Sequence, residues 1–188
     1  AKDTVVPVSL RVGDDFRILV ITGPNTGGKT VCLKTAGLLC AMTYIGLLIP
    51  CEAQSQIAVF DSIFCDIGDE QSIAQSLSTF SSHVVNLVSI TDSVTKNSLV
   101  LLDELGGGTD PHEGAALAQG ILQYLELVQA KGIITTHYGE LKEYALISEA
   151  LMNASMQFDE QTLRPTYKII TGVPGVSNAL KIAETLGL

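Results

Sequence analysis

The hydrophobic positions of the chain form short continuous runs, and stretches with the spacing of helices separate these runs. The runs predict strands at residues 17–22, 57–65, 98–103 and 132–135. The first and third are apolar almost throughout, as expected of central strands that are buried on both faces. Strands that alternate with helices predict an α/β fold with a mostly parallel sheet flanked by helices.

Helices are predicted after four positions, Gly28, Ser78, Pro111 and His137. The clearest of them covers residues 113–128, because Pro111 precedes it and the acidic Glu113 lies in its first turn. Each helix follows a polar or glycine-containing segment, so the helices begin where loops leave the predicted strands.

The pattern changes after about residue 153. Two runs at 154–158 and 164–170 are separated by a polar turn, which predicts a small β-hairpin near the C-terminus. A last helix is predicted at 178–186, after Val-Pro-Gly.

One stretch is apolar enough to require a test for a membrane span. No charged residue lies between Lys34 and Glu52. This stretch contains Gly37 and Gly46, and its apolar run is short for crossing a bilayer. We therefore expect a helix buried under the sheet, and no membrane contact.

Length and charge restrict the organisation of the protein. The 188 residues fit one domain, so residues 1–188 are interpreted as a single domain. The chain has no initiator methionine and no tail, which suggests a piece of a longer protein. Its formal charge of −9 would repel a nucleic-acid backbone, so a nucleic-acid grip is expected outside this domain.

The cysteines favour a reducing compartment. None of the four forms a Cys-x-x-Cys pair or has a histidine at ligand spacing, which argues against a zinc site or a disulfide framework. A cytoplasmic location is therefore expected. The four are Cys32, Cys40, Cys51 and Cys65.

The strongest motif lies between the first predicted strand and the helix after it. Residues 23–30 match the phosphate-loop pattern G-x-x-x-x-G-K-[ST] without a gap. In such a loop the backbone N–H groups and the helix N-terminus cradle the β- and γ-phosphates, the lysine adds a positive charge and the last hydroxyl binds Mg²⁺. The predicted nucleotide-binding residues are Gly23, Pro24, Asn25, Thr26, Gly27, Gly28, Lys29 and Thr30.

The apolar strand at 98–103 ends in one carboxylate, Asp103, and a second, Glu104, follows it directly. Because phosphate-loop ligands lie at the carboxyl edge of the sheet, Asp103 and Glu104 are expected beside the nucleotide. Asp103 is predicted to hold Mg²⁺, together with Thr30, and Glu104 to orient and deprotonate the attacking water. This pair predicts hydrolysis, whereas the loop alone predicts only binding.

Two further features at the same edge have less specific interpretations. The glycine-rich segment from Gly106 to Asp110 is either a loop that approaches another surface closely or a plain connector. His137 follows the strand at 132–135 and either contacts the γ-phosphate or makes a local hydrogen bond.

Four segments together resemble the MutS family of DNA-repair ATPases, within the ATP-binding cassette superfamily. They are GPNTGGKT at 23–30, DEQSIAQSLSTFSSH at 69–83, LLDELGGGTDP at 101–111 and TTHY at 135–138. With the closing GVPGVSNA at 172–179, they are most similar to the MutS-type two branch, bacterial proteins without the mismatch-reading domain. The resemblance covers nearly the whole chain from about Val6. It implies a single ATPase domain with a P-loop NTPase fold of the ATP-binding cassette and MutS type.

The resemblance also implies a site shared between two chains. Ser78 stands where the signature serine acts in trans on ATP that the other subunit binds. Gly106 to Asp110 becomes the cross-dimer loop, and His137 becomes a switch histidine that joins Glu104 and Lys29 in catalysis. The implied ligands are ATP and Mg²⁺, and the implied partner is a second copy, bound through the ATPase face.

The resemblance implies that the protein is a motor that uses ATP to act on a large substrate. For the MutS-type two branch the resemblance implies branched or recombining DNA, with suppression of homologous recombination, or collided ribosomes. It also implies a Smr nuclease domain beyond the present C-terminus. The residues leave two other interpretations open, a nucleotide-gated dimerisation module with negligible turnover and a small-molecule kinase.

Overall fold

A computed structural model of the chain describes residues 5–24, 27–68, 76–159 and 164–175, with the backbone alone described at 76–79 and 164. Six strands and four helices lie along these residues, and strands alternate with helices except for the last two strands, which follow each other directly. The strands are β1 (Ile18–Thr22), β2 (Ser62–Asp66), β3 (Ser98–Leu102), β4 (Lys131–Thr135), β5 (Leu151–Asp159) and β6 (Arg164–Thr171). The helices are α1 (Lys29–Tyr44), α2 (Ser76–Ser93), α3 (Pro111–Val128) and α4 (Gly139–Ile147).

The strands form one sheet in the order β2-β3-β4-β1-β5-β6. Every neighbouring pair is parallel except β5 and β6, which are antiparallel. The carboxyl ends of β1, β2, β3 and β4 therefore meet at one edge of the sheet. This edge collects the polar residues that follow those strands.

Two predicted strands differ from the structure. The strand predicted at 57–65 begins only at Ser62, because Ser62 pairs with Ser98, the first residue of β3, and earlier residues have no strand to pair with. The predicted hairpin is present, but β5 also pairs in parallel with β1. The hairpin is therefore the outer part of the main sheet rather than a separate element.

The helix starts follow local signals. Gly28 precedes α1, and Asp110 precedes α3 with its carboxylate accepting the N–H groups of His112 and Glu113. The described part of α2 begins at Ser76, so Ser78 lies inside the helix and is not its N-cap. The helix predicted at 178–186 falls outside the described residues.

Side chains from the two faces of the sheet enter separate hydrophobic clusters. Ile18 and Val20 of β1 pack in the cluster that includes α2, α3 and α4, whereas Leu19 and Ile21 pack in the cluster that includes Cys32 and Leu33 of α1. Alternation along a strand directs successive side chains to opposite faces. The described part of the molecule is thus a sheet between two helical layers.

The charge-free stretch forms α1 and the segment after it. Cys32 and Leu33 are buried under the sheet, whereas Leu38, Tyr44 and Leu48 are exposed. The expected burial is therefore correct for only one face of the helix, which also includes Gly37, whereas Val31 in the first turn is exposed. Across the described residues, none of the helices has the length and hydrophobicity needed to cross a membrane.

Candidate functional site

Lys29, the first residue of α1, lies at the carboxyl edge of the sheet, where the charges of two acidic residues act on its ammonium. Its side chain is 1% exposed, and Nζ donates a hydrogen bond to the Gly23 carbonyl at 2.7 Å. Burial lowers the pKa of Lys29, and the negative charges of Glu104 and Asp103 oppose this shift. The phosphate-loop lysine and the acidic pair therefore belong to one electrostatic cluster, although they are far apart in the sequence.

The described backbone between β1 and α1 includes a glycine in the left-handed conformation directly before the helix. Gly28 precedes α1 with φ of 94°, a left-handed conformation that glycine adopts without steric cost. Lys29 and Thr30 then form the first turn of the 16-residue helix, whose N-terminal N–H groups and dipole favour negative charge. Asn25 and Thr26 of the same loop lie outside the described residues.

The outer strands pack over this loop. A Cβ atom added to Gly28 would lie 2.8 Å from Cδ1 of Tyr167 in β6, and one added to Gly27 would lie 3.3 Å from Cβ of Met156 in β5. Tyr167 has a positive φ of 57°, which is uncommon for a residue with a side chain. Glycine at position 28 is thus required both by its φ and by the neighbouring ring.

Thr135, the last residue of β4, links the two carboxylate residues. Its buried hydroxyl donates to Oδ1 of Asp103 at 2.5 Å and accepts the backbone N–H of Glu104 at 2.8 Å. Asp103 is itself 8% exposed, so its carboxylate has limited access to water. The neighbouring strand therefore fixes the orientation of both residues.

Glu104 departs from ordinary backbone geometry. Its φ is 49°, in the left-handed region, and its carbonyl accepts the N–H of Gly107 at 2.9 Å. Such outliers store strain and cluster at functional sites. Here the outlier falls on the residue that the sequence predicts to be the general base.

The glycine-rich segment after Glu104 turns in a confined space. The Tyr138 hydroxyl donates to the Gly106 carbonyl at 2.9 Å, and a Cβ on Gly106 would collide with the Gly114 carbonyl. A Cβ on Gly108 would lie 3.6 Å from Cβ of Phe80 in α2. The segment from Gly106 to Asp110 therefore connects the acidic pair, α2 and the cap of α3.

Two residues of the predicted site are described less completely. His137 follows β4, is exposed, and has its ring centroid 4.3 Å from that of Tyr138. The backbone of Ser78 lies in the first turns of α2, but its side chain is not among those described. The structure thus brings Lys29, Asp103 and Glu104 together and leaves Ser78 on a separate element.

The donor groups are compatible with Mg²⁺ bound together with nucleotide phosphates. Within the described residues no group of three or more His, Cys, Asp and Glu side chains forms a metal cluster. Mg²⁺ usually binds through one or two protein oxygens, phosphates and water. Thr30, in the first turn of α1, and Asp103 offer a hydroxyl and a carboxylate oxygen of this kind.

Sequence reasoning missed Thr135 and Tyr167. The polar end of the run Gly-Ile-Ile-Thr was the one available signal for Thr135, whereas the position of Tyr167 depends on how β5 pairs with β1.

Comparison with known proteins gives the family. The sequence profile of MutS domain V matches residues 19–188. The chain is 60% identical over 186 residues to Endonuclease MutS2 of Caldanaerobacter subterraneus subsp. tengcongensis, covering 99% of this chain and 24% of that protein. It is 59% identical over 186 residues to Endonuclease MutS2 of Alkaliphilus metalliredigens, with the same coverage of 99% and 24%.

A third relative, Endonuclease MutS2 of Pelotomaculum thermopropionicum, is 61% identical over 184 residues, which are 98% of this chain and 23% of that protein. The chain thus spans about a quarter of the length of the curated relatives it matches. The profile match and these identities establish that the chain belongs to the MutS family, as a MutS domain V.

Proposed function

We propose that this chain hydrolyses ATP and that hydrolysis drives a larger protein that works as a dimer. The observation that carries the proposal is the arrangement of Lys29 at the start of α1 and of Asp103 and Glu104 directly after β3, all at the carboxyl edge of one sheet. Thr135 orients both acidic residues, which gives the edge the fixed geometry that hydrolysis requires. A buried positive charge beside an ordered acidic pair is suited to a substrate with a phosphate chain and an attacking water.

Each residue has a distinct part in the proposed reaction. The N–H groups at the start of α1 and the Lys29 ammonium orient the β- and γ-phosphates and stabilise the charge that develops on their oxygens. Glu104 orients the attacking water and accepts its proton. Thr30 and Asp103 would hold Mg²⁺, which when bound supplies positive charge at the phosphate oxygens.

The proposed site is completed by a second copy of the chain. Ser78 at the beginning of α2 would face the γ-phosphate that the partner binds, and the segment from Gly106 to Asp110 would lie along the same interface. His137 would contact the γ-phosphate from β4 and report its presence. In support, Gly108 of the glycine-rich segment lies next to Phe80 of α2 on this chain, since a Cβ added to Gly108 would be 3.6 Å from Cβ of Phe80.

The target of the motor belongs to the longer protein. Since the chain spans about a quarter of relatives named Endonuclease MutS2, we propose that other segments bind branched or recombining DNA, or collided ribosomes. The charge of −9 supports a target grip outside this domain. Phosphate release measured separately with branched DNA and with ribosomes distinguishes the two targets, because the true one changes the rate.

A nucleotide-gated module with negligible turnover is the alternative. The strained backbone of Glu104 and its link to Thr135 favour hydrolysis, because simple binding needs no ordered base. Sustained release of free phosphate separates the two functions, and it also excludes transfer to a small molecule.

Mixing two inactive variants tests the shared site. Lys29→Ala removes the phosphate-loop charge and Ser78→Ala removes the signature hydroxyl, so each protein alone is expected to release little phosphate. A mixed dimer still contains one site with an intact loop from one chain and an intact serine from the other. Phosphate release should therefore rise on mixing; a mixture as inactive as its components would contradict the shared site.

A further inference from the structure

A hydrogen-bonded cluster joins the end of β2 to one face of α2, away from the phosphate loop. Asp66, the last residue of β2, contacts His83 Nδ1 through Oδ2 at 2.8 Å and Asn86 Nδ2 through Oδ1 at 2.9 Å. The same Nδ2 atom donates to the Cys65 carbonyl at 3.0 Å. Both oxygens of one carboxylate are thus used to fix α2 against the sheet.

The cluster is ordered and partly shielded from solvent. The side chains of His83 and Asp66 are 29% and 13% exposed. A carboxylate only accepts hydrogen bonds, so the proton of the contact belongs to His83 Nδ1. A Cβ added to Gly68 would lie 2.9 Å from Cε1 of His83, so the backbone after β2 also confines the ring.

Asp66 connects this cluster to the strand that carries the acidic pair. Its carbonyl accepts the backbone N–H of Asp103 at 2.9 Å. The same residue therefore contacts Asp103 through its backbone and α2 through its side chain. Through Asp66, the orientation of α2 depends on the strand end beside the nucleotide site of the same chain.

His83 lies close enough to the start of α2 to set its direction. Ser78 is five residues earlier in the same helix, about 7.5 Å along the axis. Because a helix is stiff over such a distance, a change at His83 moves the first turns of α2. Phe80, next to Gly108, lies between these two positions.

We propose that His83, held by Asp66, is a positioning residue that aims the start of α2 at the nucleotide bound by the partner chain. This role rests on the proposed shared site. His83 touches neither ATP nor the attacking water in this account, and it acts through the orientation of Ser78. Its effect on turnover must therefore appear in the site of the other chain.

Mixed dimers of the full-length protein show in which chain a substitution of His83 affects turnover. In the mixture of Lys29→Ala and Ser78→Ala proteins, the one intact site uses the α2 helix of the Lys29→Ala chain. His83→Ala added to that chain should lower phosphate release about tenfold, the order of one hydrogen bond to a charged group. The same substitution in the Ser78→Ala chain, whose helix serves no intact site, should not lower it further.

Two matched variants separate positioning from damage to the helix. His83→Asn retains a polar hydrogen near the place of Nδ1 and should restore most of the rate when it replaces the alanine. Val85→Ala in the Lys29→Ala chain changes an exposed residue of α2 and should leave phosphate release close to that of the parent mixture. Should the His83→Ala protein fail to fold, Asp66→Asn weakens the same contact and is placed in each chain in turn.

Each possible result either supports or contradicts the positioning role of His83. A loss confined to the Lys29→Ala chain supports the positioning role. Equal losses of phosphate release from both placements of His83→Ala, or no loss from either, contradict the positioning role. The proposed function is then still supported, because the parent mixture is active. A parent mixture without activity overturns the shared site itself, and the positioning role with it.

Discussion

At the scale of single residues, Thr135 contacts two residues of the proposed site with one hydroxyl group. Its hydroxyl contacts the carboxylate of Asp103 and the backbone of Glu104, and it is fully buried. Because a donor and an acceptor function are combined in one oxygen, no apolar side chain can replace it. The orientation of the acidic pair therefore depends on a residue of the neighbouring strand.

Thr135→Val tests this dependence with little change in shape. We expect phosphate release to fall roughly 10- to 100-fold, because the acidic pair loses its fixed position. Unfolding by urea should show a loss of about 1–3 kcal/mol. The matched control is Thr136→Val, which removes the hydroxyl of an equally buried residue, a hydroxyl that accepts the Tyr138 N–H. An equal fall in turnover for both variants would contradict the role of Thr135.

Lys29 illustrates a conflict between stability and binding. Burial lowers its pKa, which means that the folded chain disfavours the ammonium relative to the unfolded chain. At neutral pH the charged side chain therefore lowers the free energy of unfolding, and this penalty shrinks only as the pH rises far enough to deprotonate it.

Lys29→Met should accordingly raise stability while it abolishes ATP binding. We expect an increase in the free energy of unfolding on the order of 1 kcal/mol, as for other relieved functional sites. Thermal unfolding without nucleotide measures the change in stability. Calorimetric titration with ATP measures the loss of binding. A variant less stable than the wild-type chain would show that the Gly23 hydrogen bond outweighs the cost of burial.

At the scale of elements, Asp110 has a local role that is separable from any role at an interface. Its carboxylate accepts the N–H groups of His112 and Glu113 at 3.0 and 3.3 Å and so caps α3. Loss of such a cap typically lowers stability by about 1 kcal/mol. The residue also ends the predicted cross-dimer loop.

Asp110→Ala should lower the free energy of unfolding by about 1 kcal/mol, whereas Asp110→Asn should retain most of the cap. Urea unfolding of both variants measures this difference. If the two variants unfold alike, the cap does not contribute as the geometry indicates.

The elements also differ in how well the local sequence predicts them. β1, β3 and β4 are recognisable because each is a continuous apolar run, and α3 because Asp110, Pro111 and Glu113 mark its start. The start of β2 depends on where β3 begins, and the place of β5 depends on its pairing with β1. Pairing between distant strands leaves no local signal, so these features required the structure.

At the scale of the whole molecule, the order of the strands brings the site together. β1 lies between β4 and β5, so the loop after β1 has β4 on one side and the β5–β6 hairpin on the other. The contiguous motifs at 23–30 and 103–104 predicted which residues gather at this edge. Thr135, Tyr167 and the Asp66–His83 contact depend on register and rotamers across the sheet, which the sequence alone does not specify.

We expect this domain to hydrolyse ATP with Glu104 as the base, and the decisive measurement is the turnover of the Glu104→Gln protein. Glutamine keeps the shape of the side chain but cannot accept the proton from water. Phosphate release at saturating ATP and Mg²⁺ should fall by roughly 10²- to 10⁴-fold, while titration shows ATP binding close to that of the wild type. Glu143→Gln, at an exposed position on α4, serves as the matched control and should retain the wild-type rate. Unchanged phosphate release by the Glu104→Gln protein would show that Glu104 is not the base.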